Sequence, residues 1–111
     1  MKMKYFKIAG ENIVRLIPPM GGAIATDKIV VEGMGVGYMY REAGFNDLDS
    51  GWRFFSGTED QEYINEVSNR GIYDVNTIAN YDPAIIPYLD MPIGTMLERD
   101  FDTDQFEIIE D

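Results

Sequence analysis

Carboxylates are the most abundant reactive side chains in this sequence, with 20 Asp and Glu among 111 residues. Between Asp100 and Asp104 an acid occupies every second position, which is the spacing of the first ligands in a calcium-binding loop. Such a loop needs glycine at its sixth position, where this chain has Gln105. A second register, starting at Asn46, puts Leu48 at a ligand position. Neither segment meets the requirements, so we predict no metal site and a solvated acidic hairpin around residues 100–104.

Acid–base and nucleophilic catalysis lack their usual residues in this chain. It has no histidine and no cysteine, which removes the commonest general base, the Ser–His and Cys–His dyads and the usual zinc ligands. A catalytic pair of carboxylates would need a cleft and two separated pKa values, and at this acid content two neighbouring acids are expected by chance. Gly33, Gly35 and Gly37 do not have the spacing of a phosphate-binding loop. We therefore predict that the protein is not an enzyme, has no catalytic residues and holds no cofactor.

The charge balance favours some partners over others. Nine basic and twenty acidic residues give a net charge of -11. A field of this sign repels nucleic acids and anionic membranes and favours basic partners, although solubility alone also explains much of the acidity. Residues 1–15 are comparatively basic, and residues 98–111 are strongly acidic. No stretch has the apolar length of a signal peptide or a membrane span, so we expect a cytoplasmic protein.

The stretch 36–57 is the one around which the rest of the chain is organised. It holds the only Trp and two arginines set among acids. Alternation from Tyr38 predicts a strand, the aromatic run from Trp52 predicts the next strand, and a polar loop joins them. Trp52 is either a core residue or an anchor for a partner, because an indole serves both purposes. Arg41 and Arg53 are predicted to pair with nearby carboxylates.

The segments on either side of this stretch predict further elements. Residues 21–26 are small and apolar, which indicates a buried strand, followed by a turn at 27–28 and a β-branched run at 29–31. Thr58 and Gln61 have the spacing of a capping box and predict the start of a helix. The expected buried stripe of this helix is Tyr63, Ile64 and Val67.

The second half of the chain predicts more sheet and one more helix. Residues 72–81 alternate in polarity and predict a strand. Asp82 followed by Pro83 predicts a short helix, because aspartate is a good N-cap and proline is favoured at the first helical position. Strand-like segments follow over 95–101 and 105–109.

These elements together predict an α+β fold: a single compact domain, mostly antiparallel sheet with two short helices. Residues 1–21 are predicted to be an N-terminal segment of mixed periodicity, which includes a strand docked on the domain or a short helix. Residues 22–111 are predicted to be the domain itself, ending in an acidic strand or tail.

Four multi-residue blocks follow one another along the chain: Val-Gly-Tyr-Met-Tyr-Arg-Glu (36–42), Asp-Ser-Gly-Trp-Arg-Phe-Phe-Ser-Gly (49–57), Gly-Ile-Tyr-Asp-Val-Asn-Thr-Ile-Ala-Asn-Tyr-Asp-Pro (71–83) and Ile-Ile-Pro-Tyr-Leu-Asp (85–90). Through these blocks the chain resembles a family of small bacterial domains labelled immunity-protein-33-like, after polymorphic toxin systems. The resemblance runs from about Gly22 to Phe101, so the first twenty residues and the acidic tail are expected to lie outside it.

The resemblance carries over no catalytic residues. It implies a non-enzymatic domain that binds a cognate toxin, since immunity proteins bind their toxins tightly and block the active site. Many of them oppose basic nucleases with an acidic face, and the net charge of this chain fits that picture. The alternative is a small-molecule sensing or accessory domain, with its ligand on the face between Tyr73 and Tyr81.

The placement of the charges predicts where a toxin would bind. Sheet geometry could bring the loop 44–50 and the helix start after Gly57 to the same rim, which would form one acidic patch edged by aromatic side chains. We expect a basic toxin there, and neither nucleic acid nor membrane as a partner. The predicted partner-binding residues are Asp47, Asp49, Trp52, Arg53, Glu59, Asp60 and Glu62.

Overall fold

The computed structural model describes residues 3–109, which contain one six-stranded sheet. The strands are β1 (Gly22–Thr26), β2 (Tyr38–Arg41), β3 (Asp49–Phe55), β4 (Arg70–Asp74), β5 (Met96–Asp100) and β6 (Gln105–Ile108). They lie in the order β4-β1-β3-β2-β5-β6. β1 and β3 are parallel, and the other four pairs are antiparallel. The predicted α+β class with a mostly antiparallel sheet is therefore confirmed.

Short helices lie before the first strand and in the connections between strands. The α-helices are α1 (Asp27–Val30), α2 (Gln61–Asn65) and α3 (Val75–Tyr81), and the 3-10 segments are Gly10–Asn12, Val67–Asn69 and Pro83–Tyr88. Residues 3–109 thus hold more helical segments than the two that were predicted. The additional ones are α1, α3 and the 3-10 segments Gly10–Asn12 and Val67–Asn69.

One face of the sheet is covered by α1, α3 and the segment Pro83–Tyr88. Because successive side chains of a strand point to opposite faces, every second residue of each strand enters this layer. The strands contribute Ala23, Ala25, Met39, Trp52, Phe54, Leu97 and Phe106 to the core, and the helical segments contribute Ile29, Val30, Val75, Ile78, Ala79 and Ile85.

The strand predicted over residues 72–81 is wrong beyond Asp74, because α3 begins at Val75. The Asp74 carboxylate accepts a hydrogen bond from the backbone N–H of Asn76 and caps the helix. Val75, Ile78 and Ala79 then follow at helical spacing and are buried. A cap of this kind satisfies N–H groups that a continuing strand would have paired with a neighbouring strand. The segment therefore forms a helix, although its alternating polarity also fits a strand.

Two further details of the prediction are also corrected. The segment 27–30 forms α1, with Ile29 and Val30 packed into the core, so burial overrides the preference of β-branched residues for strands. The N-cap of α2 is Asp60, which accepts from the N–H of Tyr63, and not Thr58. Val67 lies after this helix and is exposed, and Tyr63 and Ile64 are only half-buried, so the predicted buried stripe is wrong.

The helix predicted after Asp82 is confirmed as the 3-10 segment Pro83–Tyr88. Asp82 accepts from the N–H groups of Ala84 and Val36 and forms an ion pair of 2.6 Å with Arg99. The carboxylate therefore ties the start of this segment to β5. The acidic hairpin is confirmed as well, since β5 and β6 pair on either side of residues 101–104.

The N-terminal segment forms no strand between residues 3 and 21. It lies along α3 and is held by two asparagine side chains. Asn76 accepts from the N–H of Leu16 at 2.8 Å and donates to the carbonyl of Val14 at 2.9 Å, while Asn80 also bonds both backbone groups of Val14. Ile17 closes this part of the core.

Trp52 gives a direct test of this packing. Its side chain is fully buried, stacks on Phe54 and donates from Nε1 to the carbonyl of Leu89 at 3.0 Å. Replacing it with Ala should lower the free energy of unfolding by about 3–5 kcal/mol, because a large cavity is left in the core. Urea unfolding followed by circular dichroism measures this, since Trp52→Ala removes the only Trp fluorophore.

The matched control is Trp52→Phe, which keeps an aromatic ring and loses the N–H bond to Leu89. It should cost about half as much or less, because one hydrogen bond contributes roughly 1 kcal/mol net. Wild-type stability of the Ala variant would contradict the assignment of Trp52 to the core.

Candidate functional site

The sheet face opposite α1 and α3 is largely uncovered, and we call it the open face. Directly opposed residues of neighbouring strands share a face of the sheet. The open face accordingly carries the cross-strand pairs Ile24–Ile72, Tyr40–Arg53 and Tyr38–Glu98. Its loop end is where residues 42–48 join β2 to β3, and its helix end is where β3 leads into α2.

Arg53 lies on the open face and is nevertheless buried, with 2% of its surface exposed. Its Nε donates to Glu42 Oε2 at 2.7 Å, and its two terminal nitrogens donate to the two oxygens of Asp49 at 2.8 and 2.9 Å. The ring of Phe45 lies 5.3 Å from the guanidinium. The predicted pairing of Arg53 with nearby carboxylates is therefore confirmed, whereas Arg41 donates to backbone carbonyls, among them that of Ser50.

A break in the register between β1 and β3 makes this cluster possible. Gly22 of β1 lies opposite Asp49 of β3, and Ile24 lies opposite Arg53. Between these two pairs β1 advances by two residues and β3 by four. The extra residues form a bulge at Gly51, whose φ of 88° is a conformation that glycine adopts without strain. In a regular strand, residues four apart are separated by roughly 13 Å, so the bulge is what brings Asp49 within reach of Arg53.

The electrostatics of the cluster follow from this geometry. The hydrogen bond from Arg53 holds the pKa of Asp49 well below its ordinary value, and burial of the carboxylate opposes this only in part. The same bond raises the pKa of Arg53, so both groups stay charged. On the neighbouring strand, burial raises the pKa of the Tyr40 hydroxyl, and the negative charge of Glu42 raises it further. Asp49 and Arg53 therefore neutralise one another inside the protein.

The structure does not bring the predicted partner-binding residues to one rim. Asp47 and Asp49 lie at the loop end of β3, and Glu59, Asp60 and Glu62 follow its opposite end. A seven-residue strand separates the two groups by roughly 15–20 Å, given about 3.3 Å per residue. The single acidic patch is therefore wrong, because one strand runs between its halves.

Burial removes two of the predicted residues from any surface. Trp52 is in the core beneath the other face, and Arg53 is enclosed by its carboxylates. The Glu59 carboxylate accepts from Thr26 Oγ1 and from the N–H groups of Ser56 and Gly57, so it shapes the turn after β3. Asp47, Asp60 and Glu62 are exposed, and Asp60 also caps α2.

An aromatic shelf, made of Tyr38, Tyr40 and Phe55, occupies the middle of the open face. The three ring centroids lie 5.7–5.9 Å from one another, and the rings of Tyr40 and Phe55 are nearly parallel. All three side chains are half-buried. Rings at these distances stabilise one another and present aromatic surface on the open face.

An apolar corner, made of Phe45, Leu48 and Ile72, lies at the loop end of the open face. Each of these side chains is 77–79% exposed. Together with Ile24 they line a cleft of about 170 Å³. Large apolar side chains that gather on a surface typically mark a place where another molecule binds.

A larger cleft, of about 350 Å³, lies at the helix end of the open face. We call it the helix-end cleft. Its lining includes Tyr38 and Phe55, Ile64 of α2, and the two carboxylates Glu59 and Glu98. It therefore combines aromatic walls with negative charge.

A third cleft, of about 280 Å³, lies on the helical side and is lined by Tyr73, Thr77 and Tyr81 together with residues of the N-terminal segment. The Tyr81 hydroxyl there accepts from the N–H of Ile8 at 3.0 Å and donates to the carbonyl of Val30 at 3.1 Å. These are the residues on which a small ligand was expected in the alternative function. The Tyr81 hydroxyl is therefore already hydrogen-bonded within the protein.

Residues 3–109 form neither a cluster of metal-ligating side chains nor a long apolar helix. Within that range, no three acidic side chains come close enough together to hold a metal ion. Likewise, no helix in that range has the length and apolar character needed to cross a membrane.

The open face was not predicted as a site from the sequence. Alternation placed Tyr38 and Tyr40 on one side of β2, which is confirmed. Nothing in the sequence told which side the helices would cover, because α3 was predicted as a strand. The signal that was present is the apolar pair Phe45 and Leu48, which stands out in an otherwise polar loop.

The Arg53 cluster predicts a pH-dependent contribution to stability. Because the pKa of Asp49 is lower in the folded state, the pair stabilises the fold at neutral pH, and this stabilisation is lost as the pH falls below about 4. Asp49→Asn should lower the free energy of unfolding at pH 7 by about 1.5–3 kcal/mol. It should also reduce the loss of stability between pH 5 and pH 3, as measured by urea unfolding.

Asp47→Asn is the matched control, since Asp47 is an exposed acid in the same loop. It should change the free energy of unfolding by less than about 0.5 kcal/mol at either pH. Equal effects of the two substitutions would contradict the structural role of Asp49.

The family model described as the immunity protein Imm33 domain matches residues 23–110. The match includes the acidic C-terminal hairpin, so the family extends beyond Phe101, where the resemblance was expected to end. No curated protein and no solved structure matches the chain at a significant level. With 88 of its 111 residues matched, 23 through 110, the chain belongs to the Imm33 family of immunity proteins.

Proposed function

We propose that this protein neutralises a cognate toxin by binding it with the open face of its sheet. Membership of an immunity family implies a toxin as the partner. The observation that carries the choice of surface is the apolar corner, where three large side chains are more than three-quarters exposed at the edge of an uncovered sheet. Such exposure is costly in water and is relieved when a partner covers it.

The composition of the open face supports this role. Protein interfaces have an apolar, aromatic centre and a polar rim, and Tyr is among the residues that contribute most to binding. The aromatic shelf provides the centre, and the exposed carboxylates of Glu98 and Glu107 lie beside it on β5 and β6. The face therefore has the arrangement of a binding surface without needing Trp52.

The charge of the protein favours a basic toxin. The Arg53 charge on this face is neutralised by Glu42 and Asp49, and Arg70 donates to the carbonyl of Ile64. The chain as a whole carries a net charge of -11. A basic partner would be attracted at long range, and association would slow as salt rises. The long-range field thus increases the rate of association, and burial of the apolar corner provides much of the affinity.

The test is binding to the product of the neighbouring toxin gene. The double variant Leu48→Ala and Ile72→Ala should weaken the affinity at least tenfold, about 1.4 kcal/mol, because both side chains would be buried in the complex. The melting temperature should stay within a few degrees of wild type, since both side chains are exposed in the free protein. Calorimetry of the complex and survival of cells that co-express the toxin are the two measurements.

A matched control removes apolar side chains from the helical side. Val14→Ala with Leu16→Ala alters two partly exposed residues of the N-terminal segment, and it should leave the affinity unchanged. Full affinity of the open-face variant, together with weakened binding by the control, would place the toxin on the helical side. A protein that binds no neighbouring gene product, but binds a small molecule in the cleft of Tyr73 and Tyr81, would support the sensing alternative instead.

A further inference from the structure

We propose that the helix-end cleft is a socket for an arginine side chain of the toxin. This inference rests on the proposed function, because it concerns the partner of the same open face. It goes beyond that function by stating which chemical group of the partner enters which part of the face.

The walls of the cleft suit a planar cation. Tyr38 and Phe55 present aromatic rings, with centroids 5.7 Å apart, and Ile64 gives an apolar surface against which an aliphatic stem can pack. A guanidinium group stacks on aromatic faces and is more weakly hydrated than an ammonium group. An arginine can therefore enter such a cleft at a smaller desolvation cost than a lysine.

The backbone geometry requires glycine at two positions in the lining of the cleft. Gly37 and Gly57 both line it. A Cβ atom on Gly37 would lie 2.1 Å from the carbonyl oxygen of Ser56, so no other residue fits there without moving the backbone. Gly57 has a φ of 94°, which side chains rarely adopt. This part of the lining is therefore backbone, and it carries no side chain.

One carboxylate of the cleft is fixed and charged. Burial alone would raise the pKa of Glu59, but hydrogen bonds from Thr26 and Ser56 outweigh it, so the net shift is downward. Oε2 receives the bonds from Thr26 and Ser56, and Oε1 receives the bond from the N–H of Gly57. A carboxylate oxygen can accept more than one hydrogen bond, so Oε1 has capacity left for a guanidinium donor.

The other carboxylate lies in an unfavourable pair. Glu98 is directly opposite Glu107 across the β5–β6 ladder, and like charges in such positions destabilise a sheet. Neither side chain forms an ion pair with any residue from 3 to 109. A cation that enters beside Glu98 would relieve this repulsion. Charge complementarity, together with the aromatic walls, therefore selects arginine as the occupant.

The experiment titrates the isotopically labelled full-length protein with N-acetyl-arginine N-methylamide and follows its backbone amides by NMR. The amides of Gly37, Gly57 and Glu59 should shift and saturate, with a Kd of about 1–30 mM for so small a probe. The matching citrulline derivative, which is neutral and nearly the same shape, should bind at least tenfold more weakly.

Two variants connect the probe to the cleft. Glu98→Gln should weaken binding of the arginine probe at least threefold, and Glu11→Gln, in an exposed turn of the N-terminal segment, should leave it unchanged. Equal binding of the arginine and citrulline probes, or no saturable shift of the three amides up to about 100 mM, would overturn the proposal.

The result is separable from the proposed function. Toxin affinity of Glu98→Gln should fall at least fivefold if an arginine of the toxin occupies the cleft. If Leu48→Ala with Ile72→Ala abolishes toxin binding while Glu98→Gln leaves it unchanged, the open face binds the toxin and the arginine socket is wrong. If neither variant affects toxin binding, both proposals fail.

Discussion

The buried charge of Arg53 is the constraint on which the open face depends. A guanidinium inside a protein must be neutralised and hydrogen-bonded, because an unpaired charge is expensive to bury. Here Glu42 and Asp49 meet that requirement; Glu42 is the first residue of the loop between β2 and β3, and Asp49 is the first residue after it. The loop is therefore tied down at both ends, which fixes the positions of Phe45 and Leu48 on the surface.

The same constraint divides the acids of this protein into two kinds. Asp49, Glu59 and Asp82 accept several hydrogen bonds each and hold turns or strands in place. Others, such as Asp47 and Glu98, are exposed. The net charge includes the hydrogen-bonded acids and the exposed acids alike, whereas a partner contacts chiefly the exposed ones. A high net charge therefore predicts long-range attraction but gives no location for a contact.

Much of the fold followed from local patterns, and the errors share one physical cause. The alternation in β2, the proline after Asp82 and the apolar run in β1 are local signals, and each of these predictions is confirmed. The segment 75–81 was misread because its polarity fits a strand as well as one side of a helix. The choice was made by the Asp74 cap and by burial against the sheet, and burial depends on distant residues.

The sequence by itself determined the α+β class, the absence of histidine and cysteine chemistry, and a family resemblance that the domain match bears out. Those properties depend on composition and on short stretches of chain. Only the tertiary structure decided which sheet face is open, that Trp52 lies in the core, and that the predicted acidic residues lie at opposite ends of β3. The physical reason is that a strand separates its two ends by its own length, and a covering helix is needed to give a sheet an inside and an outside.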